Sequence, residues 1–220
     1  MAELRVLLVG EGRHELGDRQ EEFLSGDALG PLATLVCRII NRDETIRFFG
    51  RAGKRIRNVH RGKASSAWVK KVYSAIWHAA NDTDGHAFDA VVIVVDRDGE
   101  KNSNRLSHMK QGRDMFGASR FPCALGVAIE AFDAWMIADA QAIEAAGGDG
   151  DKAHASPEEI HRPKEEADAI FGTRGGTGLG FRYAVVAGKA DLACLESCCP
   201  QGFKPFADEV RDKIGSRVGL

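Results

Sequence analysis

Two apolar runs fix the kind of molecule this chain can become. Val6-Leu7-Leu8-Val9 and Val91-Val92-Ile93-Val94-Val95 are rich in β-branched residues and carry no polar interruption. A strand reads this way when helices cover both faces of a parallel sheet, whereas a strand with one wet face alternates. Each run ends in acids. Gly10-Glu11-Gly12-Arg13-His14-Glu15 follows the first, and Asp96-Arg97-Asp98-Gly99 closes the second. Open parallel sheets bind ligands outside the carboxyl ends of their strands. Glu11, Asp96 and Asp98 therefore lie where chemistry is expected.

The spacing between the runs supports the same architecture. Leu29, Leu32, Leu35, Val36, Ile39 and Ile40 recur at helical intervals within 28–40, residues 45–49 read as a short strand, and 66–80 as an amphipathic helix. Beyond the second run come a helix over about 104–116, a fourth strand over 124–129 and a helix over about 131–146. The alternation predicts an α/β, Rossmann-like, mostly parallel four-stranded sheet with right-handed crossovers and flanking helices. Gly147-Gly148-Asp149-Gly150-Asp151 interrupts it. We thus expect a core over 1–146 and a helical extension over 147–220 packed on that core. In the extension Pro157 and Pro163 open short helices and 204–214 closes the chain.

With 220 residues, 44% of them hydrophobic, the chain can bury a full core. Its net charge of −2 excludes a globally basic nucleic-acid coat, though not a local basic patch. No apolar run approaches the length of a membrane span, and the first strand begins too early to leave room for a signal peptide. A cytoplasmic protein with no membrane association is expected. The five cysteines, Cys37, Cys123, Cys194, Cys198 and Cys199, form no Cys-x-x-Cys pair, which fits reduced thiols. Cys194, Cys198 and Cys199 read as residues of a helix and its following turn, with zinc binding the alternative.

The acids after the strands suit a hard cation. Magnesium or manganese takes oxygen ligands, and three or four carboxylates can hold one or two such ions. Asp96 and Asp98 would point the same way if the extended conformation persisted through Arg97. Glu11 is a candidate metal ligand or general base. Glu15 shares its face only if a helix begins at once, and otherwise serves as a first-turn acid favoured by the helix dipole. Glu130 and Asp133 follow the fourth strand, where they either complete a second metal position or simply stabilise a helix start. Trp135 reads as a core anchor and Asp139 as solvent-facing. His14 lacks the second histidine of a zinc-protease motif and is kept as a substrate contact.

Between the second strand and the next helix, the segment 50–63 carries Arg51, Lys54, Arg55, Arg57, Arg61 and Lys63 with few core formers. Such a loop can track phosphates, each cation releasing counterions, and it should emerge on the same edge as the acids. A solvated basic loop is the alternative. Gly172-Thr173-Arg174-Gly175-Gly176-Thr177-Gly178-Leu179-Gly180 lacks the Lys-Ser/Thr ending of a nucleotide-binding loop and reads as a linker, with Arg174 and Arg182 available to a substrate. There is no Gly-x-Ser-x-Gly motif and no nucleophilic triad in the sequence pattern.

An apolar strand followed by Glu11-Gly12-Arg13-His14-Glu15, with a later strand ending in Asp96-Arg97-Asp98-Gly99, resembles the Toprim domain of topoisomerases, primases and the overcoming-lysogenization-defect nucleases. The second Glu brings it nearer to the nuclease branch. Ala128-Ile129-Glu130-Ala131-Phe132-Asp133-Ala134-Trp135-Met136-Ile137-Ala138-Asp139 resembles the Glu-Ala-Trp-x-x-Ala-Asp stretch of a widespread prokaryotic Toprim-like family, with Asp133 in place of its usual Glu. The segment from Cys199 to Phe206 is similar to that family's C-terminal part. Pro163-Lys164 matches a Pro-Lys pair there, which implies Lys164 as a charge stabiliser for a scissile phosphate.

The resemblance implies a Toprim core and a divalent-metal-dependent nuclease. Glu11, Asp96, Asp98 and Lys164 would be catalytic, and Glu11, Glu15, Asp96, Asp98, Glu130 and Asp133 would bind metal. It also implies a role in anti-phage defence or a mobile-element locus, with an ATPase encoded as a separate chain. The alternative is a non-catalytic Toprim-like binding or regulatory subunit of an ATPase assembly. A primase-type transferase ranks last, because no zinc-binding domain is evident in the sequence.

Overall fold

The two apolar runs pair with each other at the centre of one sheet, in a computed structural model that describes residues 3–41, 46–81, 85–117, 120–174 and 178–217. The strands are β1 (Leu4–Gly10), β2 (Phe23–Leu24), β3 (Ile46–Ala52), β4 (Ala90–Asp96) and β5 (Cys123–Ala128). Their order is β2-β3-β1-β4-β5, and every pair is parallel except β2 with β3. The fold is thus α/β with a mostly parallel sheet, but of five strands among the described residues rather than four. β2 escaped notice because two residues show no periodicity; Phe23 and Leu24 are strand only through pairing with Phe49 and Phe48. The expected start of the second strand at Thr45 lies outside the described residues. Its other end runs on to Ala52, opposite Gly10, so Arg51 belongs to a strand and not to a loop.

β1 and β4 have neighbours on both sides, and alternation sends their residues into two separate cores. Val6, Leu8, Val92 and Val94 face one layer. Leu7, Val9, Val91, Ile93 and Val95 face the other. The second layer is α3 (Ala67–Ala80) and α4 (Arg105–Phe116), contributing Val72, Ala75, Ile76, Ala79 and Met109. The first layer is larger. It comprises α1 (Arg13–Leu16), α2 (Pro31–Ile39), α5 (Asp133–Met136), α6 (Ala140–Ala145), α7 (Pro163–Phe171), α8 (Leu179–Lys189), α9 (Leu192–Cys198) and α10 (Phe203–Lys213).

The C-terminal helices share one apolar cluster with the sheet, from Val6 and Ala124 to Tyr183, Phe206 and Val210. Trp135 is fully buried in it and stacks on Phe206 with centroids 5.4 Å apart, a core anchor as expected. Glu158 ties the extension together by accepting hydrogen bonds from the backbone N–H of Gln201 (2.9 Å) and Gly202 (2.6 Å).

The helix expected over 131–146 is two helices, α5 and α6. Asp139, read as solvent-facing, is buried at the break. Its carboxylate caps α6 through the Ala142 N–H (3.1 Å) and accepts from the Asp191 N–H (2.7 Å), which fastens α9 to it. The glycine-rich run does separate two helices, α7 and α8, with its residues 175–177 outside the described ones. No helix among the described residues is long and apolar enough to cross a membrane.

Topology sets the place of any ligand. From β1 the chain crosses to β3 on one side, then passes back to β4 on the other. Strand order reverses between β1 and β4, and the crevice at such a reversal is the binding place of open α/β sheets.

Candidate functional site

Glu11 and Asp96 leave β1 and β4 at that crevice, and a Glu11 carboxylate oxygen accepts from the Asp96 N–H at 3.3 Å. Gly12 then lets the chain turn into α1 at once, the condition under which Glu15 returns to the same place. The Glu15 carboxylate accepts from the Gly12 N–H at 2.7 Å, capping its own helix, and the side chain is buried. Gly30 makes this turn fit: a Cβ there would lie 2.3 Å from the Leu16 carbonyl oxygen, so α1 and the start of α2 meet backbone to backbone.

From the other layer-one elements come Asp133, at the first position of α5, and Lys164, near the start of α7. Asp133 is 1% exposed and accepts from the Tyr183 hydroxyl at 2.5 Å. Asp96 is 2% exposed; it accepts from the Phe132 N–H at 2.8 Å, and the Lys164 ammonium stands 3.7 Å from its other oxygen. Four carboxylates and one lysine thus share a small space.

Their ionisation shows the strain of that arrangement. Burial, followed by repulsion from Glu11 and Glu15, pushes the Asp96 carboxyl up to about 8. Burial, with Asp133 and Glu11 adding to it, pushes Glu15 up to about 7 against the pull of its backbone hydrogen bonds. Burial alone would lower Lys164, but the charges of Asp96, Asp133, Glu15 and Glu11 outweigh it and its pKa is raised. Tyr183 is raised well above its ordinary value by burial and then by Asp133, so its hydroxyl stays a donor.

Two expected ligands are elsewhere. Asp98 does not share a face with Asp96, because the strand ends at Asp96 and Asp98 adopts φ of 53°, outside the extended region. Its side chain is 60% exposed and pairs with Arg105 at 3.0 Å. Glu130 also turns at positive φ, 61°, and its carboxylate is joined to the Arg97 guanidinium. Neither acts on the electrostatics of Asp96 as Glu11 and Glu15 do.

Tyr183 and Arg105 were missed by sequence reasoning. Tyr183 follows Asp133 by fifty positions with no motif to mark it. Arg105 is buried, donates to the Asp96 carbonyl and lies over the Trp68 ring at 5.1 Å, and its only sequence signal is one basic residue in the turn of α4. His14, kept as a substrate contact, packs edge-on against Tyr183, centroids 6.0 Å apart.

The basic segment leaves β3 at the edge that holds the acids, since Ala52 is level with Gly10. Lys54, Arg55, Arg57, Arg61 and Lys63 are exposed. Arg55 pairs with Glu21 at 2.8 Å, and Arg51 approaches the same carboxylate at 3.9 Å while lying over the Phe49 ring. Arg174 is exposed on the linker. Arg182 is committed elsewhere: its guanidinium donates to the Ala146 carbonyl at the end of α6.

No three of the described His, Cys, Asp and Glu side chains are grouped as ligands around a common point. Cys194 and Cys198 lie on α9 with sulfurs 3.8 Å apart and gather no third ligand among the described residues. The donor chemistry at the β1–β4 crevice is nevertheless of the kind a hard divalent cation takes: oxygen donors only, with burial, and then neighbouring carboxylates, raising Asp96 to about 8 and Glu15 to about 7. No protein-family model matches the sequence, and no curated protein or solved structure matches it at a significant level.

Proposed function

We propose that the chain is a magnesium- or manganese-dependent phosphodiesterase acting on nucleic acid. The observation that carries this reading is the carboxylate cluster at the strand-order reversal, Glu15, Asp96 and Asp133 buried and Glu11 exposed at its edge, with Lys164 facing it. Glu11, Asp96, Asp133 and Glu15 would hold the cation. Bound there, it supplies Lewis-acid stabilisation of charge on phosphodiester oxygens.

The protein's own groups do the rest. Lys164 is mostly exposed at the mouth of the cluster, where its ammonium reaches a non-bridging phosphate oxygen. Tyr183 holds Asp133, and the Phe132 N–H holds Asp96, so that each presents its second oxygen to the crevice. Asp98 and Glu130 take no part, their carboxylates being paired with Arg105 and Arg97. The basic residues of 51–63 hold the nucleic-acid backbone. The Toprim resemblance adds a role in anti-phage defence with a separately encoded ATPase, a proposal that rests on analogy.

A second reading, a non-catalytic subunit of an ATPase assembly, is favoured by one observation: Lys164 already pairs with Asp96 and supplies part of the charge a metal would bring. Cleavage of plasmid, linear duplex, single-stranded DNA, transfer RNA and structured RNA decides between them. The assay compares the wild-type chain with Asp96→Asn in magnesium or manganese, with and without an ATPase encoded beside it. Metal-dependent cutting that Asp96→Asn abolishes is the expected result. Absence of cutting in every combination, with nucleic acid still bound, would select the second reading.

A further inference from the structure

The basic segment does more than line the edge of the sheet. After Gly53 it turns along α3, where two hydrogen bonds fasten it to the helix and a third braces it internally. The Val59 N–H donates to the buried Ser74 hydroxyl at 3.1 Å, the His60 N–H donates to the Asn58 side-chain oxygen at 3.0 Å, and the His78 ring donates to the Arg57 carbonyl at 2.8 Å. The segment and the helix enclose a concave pocket of about 570 Å³. Arg55, Arg57 and Arg61 line it on one side, and Tyr73 and Trp77 line it on the other. His60 meets Tyr73 edge-on at 5.1 Å and Phe116 meets it at 5.8 Å, so that ring is fixed in place. No carboxylate lines the pocket among the described residues, and Glu21 pairs with Arg55 and Arg51. Arg57 and Arg61 make no ion pair with a described residue.

Half-buried aromatic rings beside guanidinium groups form a stacking platform with a phosphate clamp. A duplex keeps its bases stacked inside and offers such a platform nothing, whereas an unpaired base presents its face. We propose that this pocket is a subsite for single-stranded nucleic acid: one unpaired base stacks on Trp77 and Tyr73 while Arg57 and Arg61 hold the flanking phosphates. The proposal rests on the phosphodiesterase reading for its purpose, but its test does not. The segment joins the pocket to the sheet edge at Ala52, so a strand anchored there is led toward the crevice of Glu11 and Asp96. The preferred substrate is then single-stranded, or a duplex with an unpaired flank.

Binding in EDTA, where no metal-dependent cutting occurs, tests this directly. The full chain is titrated into a labelled oligodeoxythymidine of about 12 nucleotides, a length within the span of single-strand sites, and into a blunt duplex of equal length. The expected result is at least about tenfold tighter binding of the single strand. Trp77→Leu should weaken single-strand binding by about 5- to 150-fold, the range of one lost stacking contact, and leave duplex binding unchanged. Trp77→Phe should restore most of the loss. Arg57→Ala/Arg61→Ala, at two exposed positions, should flatten the salt dependence of single-strand binding by about 1.4 units of slope, roughly 0.7 for each lost phosphate contact. Equal affinity for both probes, or single-strand binding unchanged in the arginine double variant, would overturn the proposal. Asp96→Asn separates it from the catalytic reading: with that variant binding should persist while cutting is lost. Specific binding without cutting by the wild type keeps the pocket and removes the nuclease, and cutting that ignores both pocket variants does the reverse.

Discussion

Asp96 is held at the end of β4 by one backbone N–H and one distant lysine, against burial and two neighbouring carboxylates. Its carboxyl, ordinarily near 3.8, titrates at about 8, and Glu15, ordinarily near 4.5, at about 7. Between those limits the folded chain binds more protons than the unfolded one, so these groups favour the fold fully below about pH 4 and lose that contribution as pH rises through 7 and 8. Asp96→Asn cannot ionise and escapes the loss. Its stability relative to wild type should therefore climb between pH 5 and pH 8, by at most about 1.4 kcal/mol per pH unit, measured by urea unfolding without metal. A flat difference across that range would contradict the assigned burial of charge. Tyr183→Phe tests the other side of the cluster. It leaves a buried Asp133 oxygen without its donor and should cost about 1–3 kcal/mol in the same assay. At this scale the sequence named Glu11, Glu15, Asp96, Asp133 and Lys164 one by one, and the structure brings them to one crevice. Asp98 and Glu130 lie apart from it, because each takes a left-handed turn just after its strand, and for Asp98 the extended conformation that would have aimed it with Asp96 does not persist.

Elements follow the same division. α3 and α4 were legible to within a residue; α3 keeps one apolar face and a clean start, Ser66 capping it through the Val69 N–H, whereas α4 buries Arg105, Met109, Gly112 and Arg113 and has no side-chain cap. Their contact was not legible. Gly112 of α4 lies so close to α3 that an added Cβ would stand 2.5 Å from the Val69 carbonyl oxygen and 3.0 Å from Val72. Gly112→Ala should therefore destabilise the chain by about 1–3 kcal/mol, despite alanine's better helix propensity. Circular dichroism during thermal unfolding would show it, and a stabilised variant would mean the helices have room to part. The break between α5 and α6 escaped the sequence because Asp139 sits amid apolar residues at helical spacing. Only its partners, Ala142 and Asp191, reveal it as a cap.

For the molecule as a whole, the balance of charge in the crevice makes stability a reporter of cation binding. A divalent ion at about a hundred times its dissociation constant stabilises a protein by roughly 2.7 kcal/mol, about 5–10 °C in Tm for a chain of this size. Magnesium or manganese should raise Tm by that amount at pH 8 and by less at pH 6, where Asp96 and Glu15 hold protons the ion must displace. EDTA should reverse the shift and Asp96→Asn should remove it; a shift of equal size in that variant would place the cation elsewhere. The sequence by itself determined that a parallel sheet forms, that Val6–Val9 and Val91–Val95 lie inside it, and that acids follow both strands. Hydrophobic periodicity is local, and each segment carries its own. Only the tertiary structure decided that β1 and β4 are neighbours, that α7 and α8 return Lys164 and Tyr183 to the same crevice, and that Arg57 and Arg61 face Trp77 across a pocket. Those are contacts between residues tens of positions apart, set by which apolar faces bury each other, and no window along the chain contains both partners.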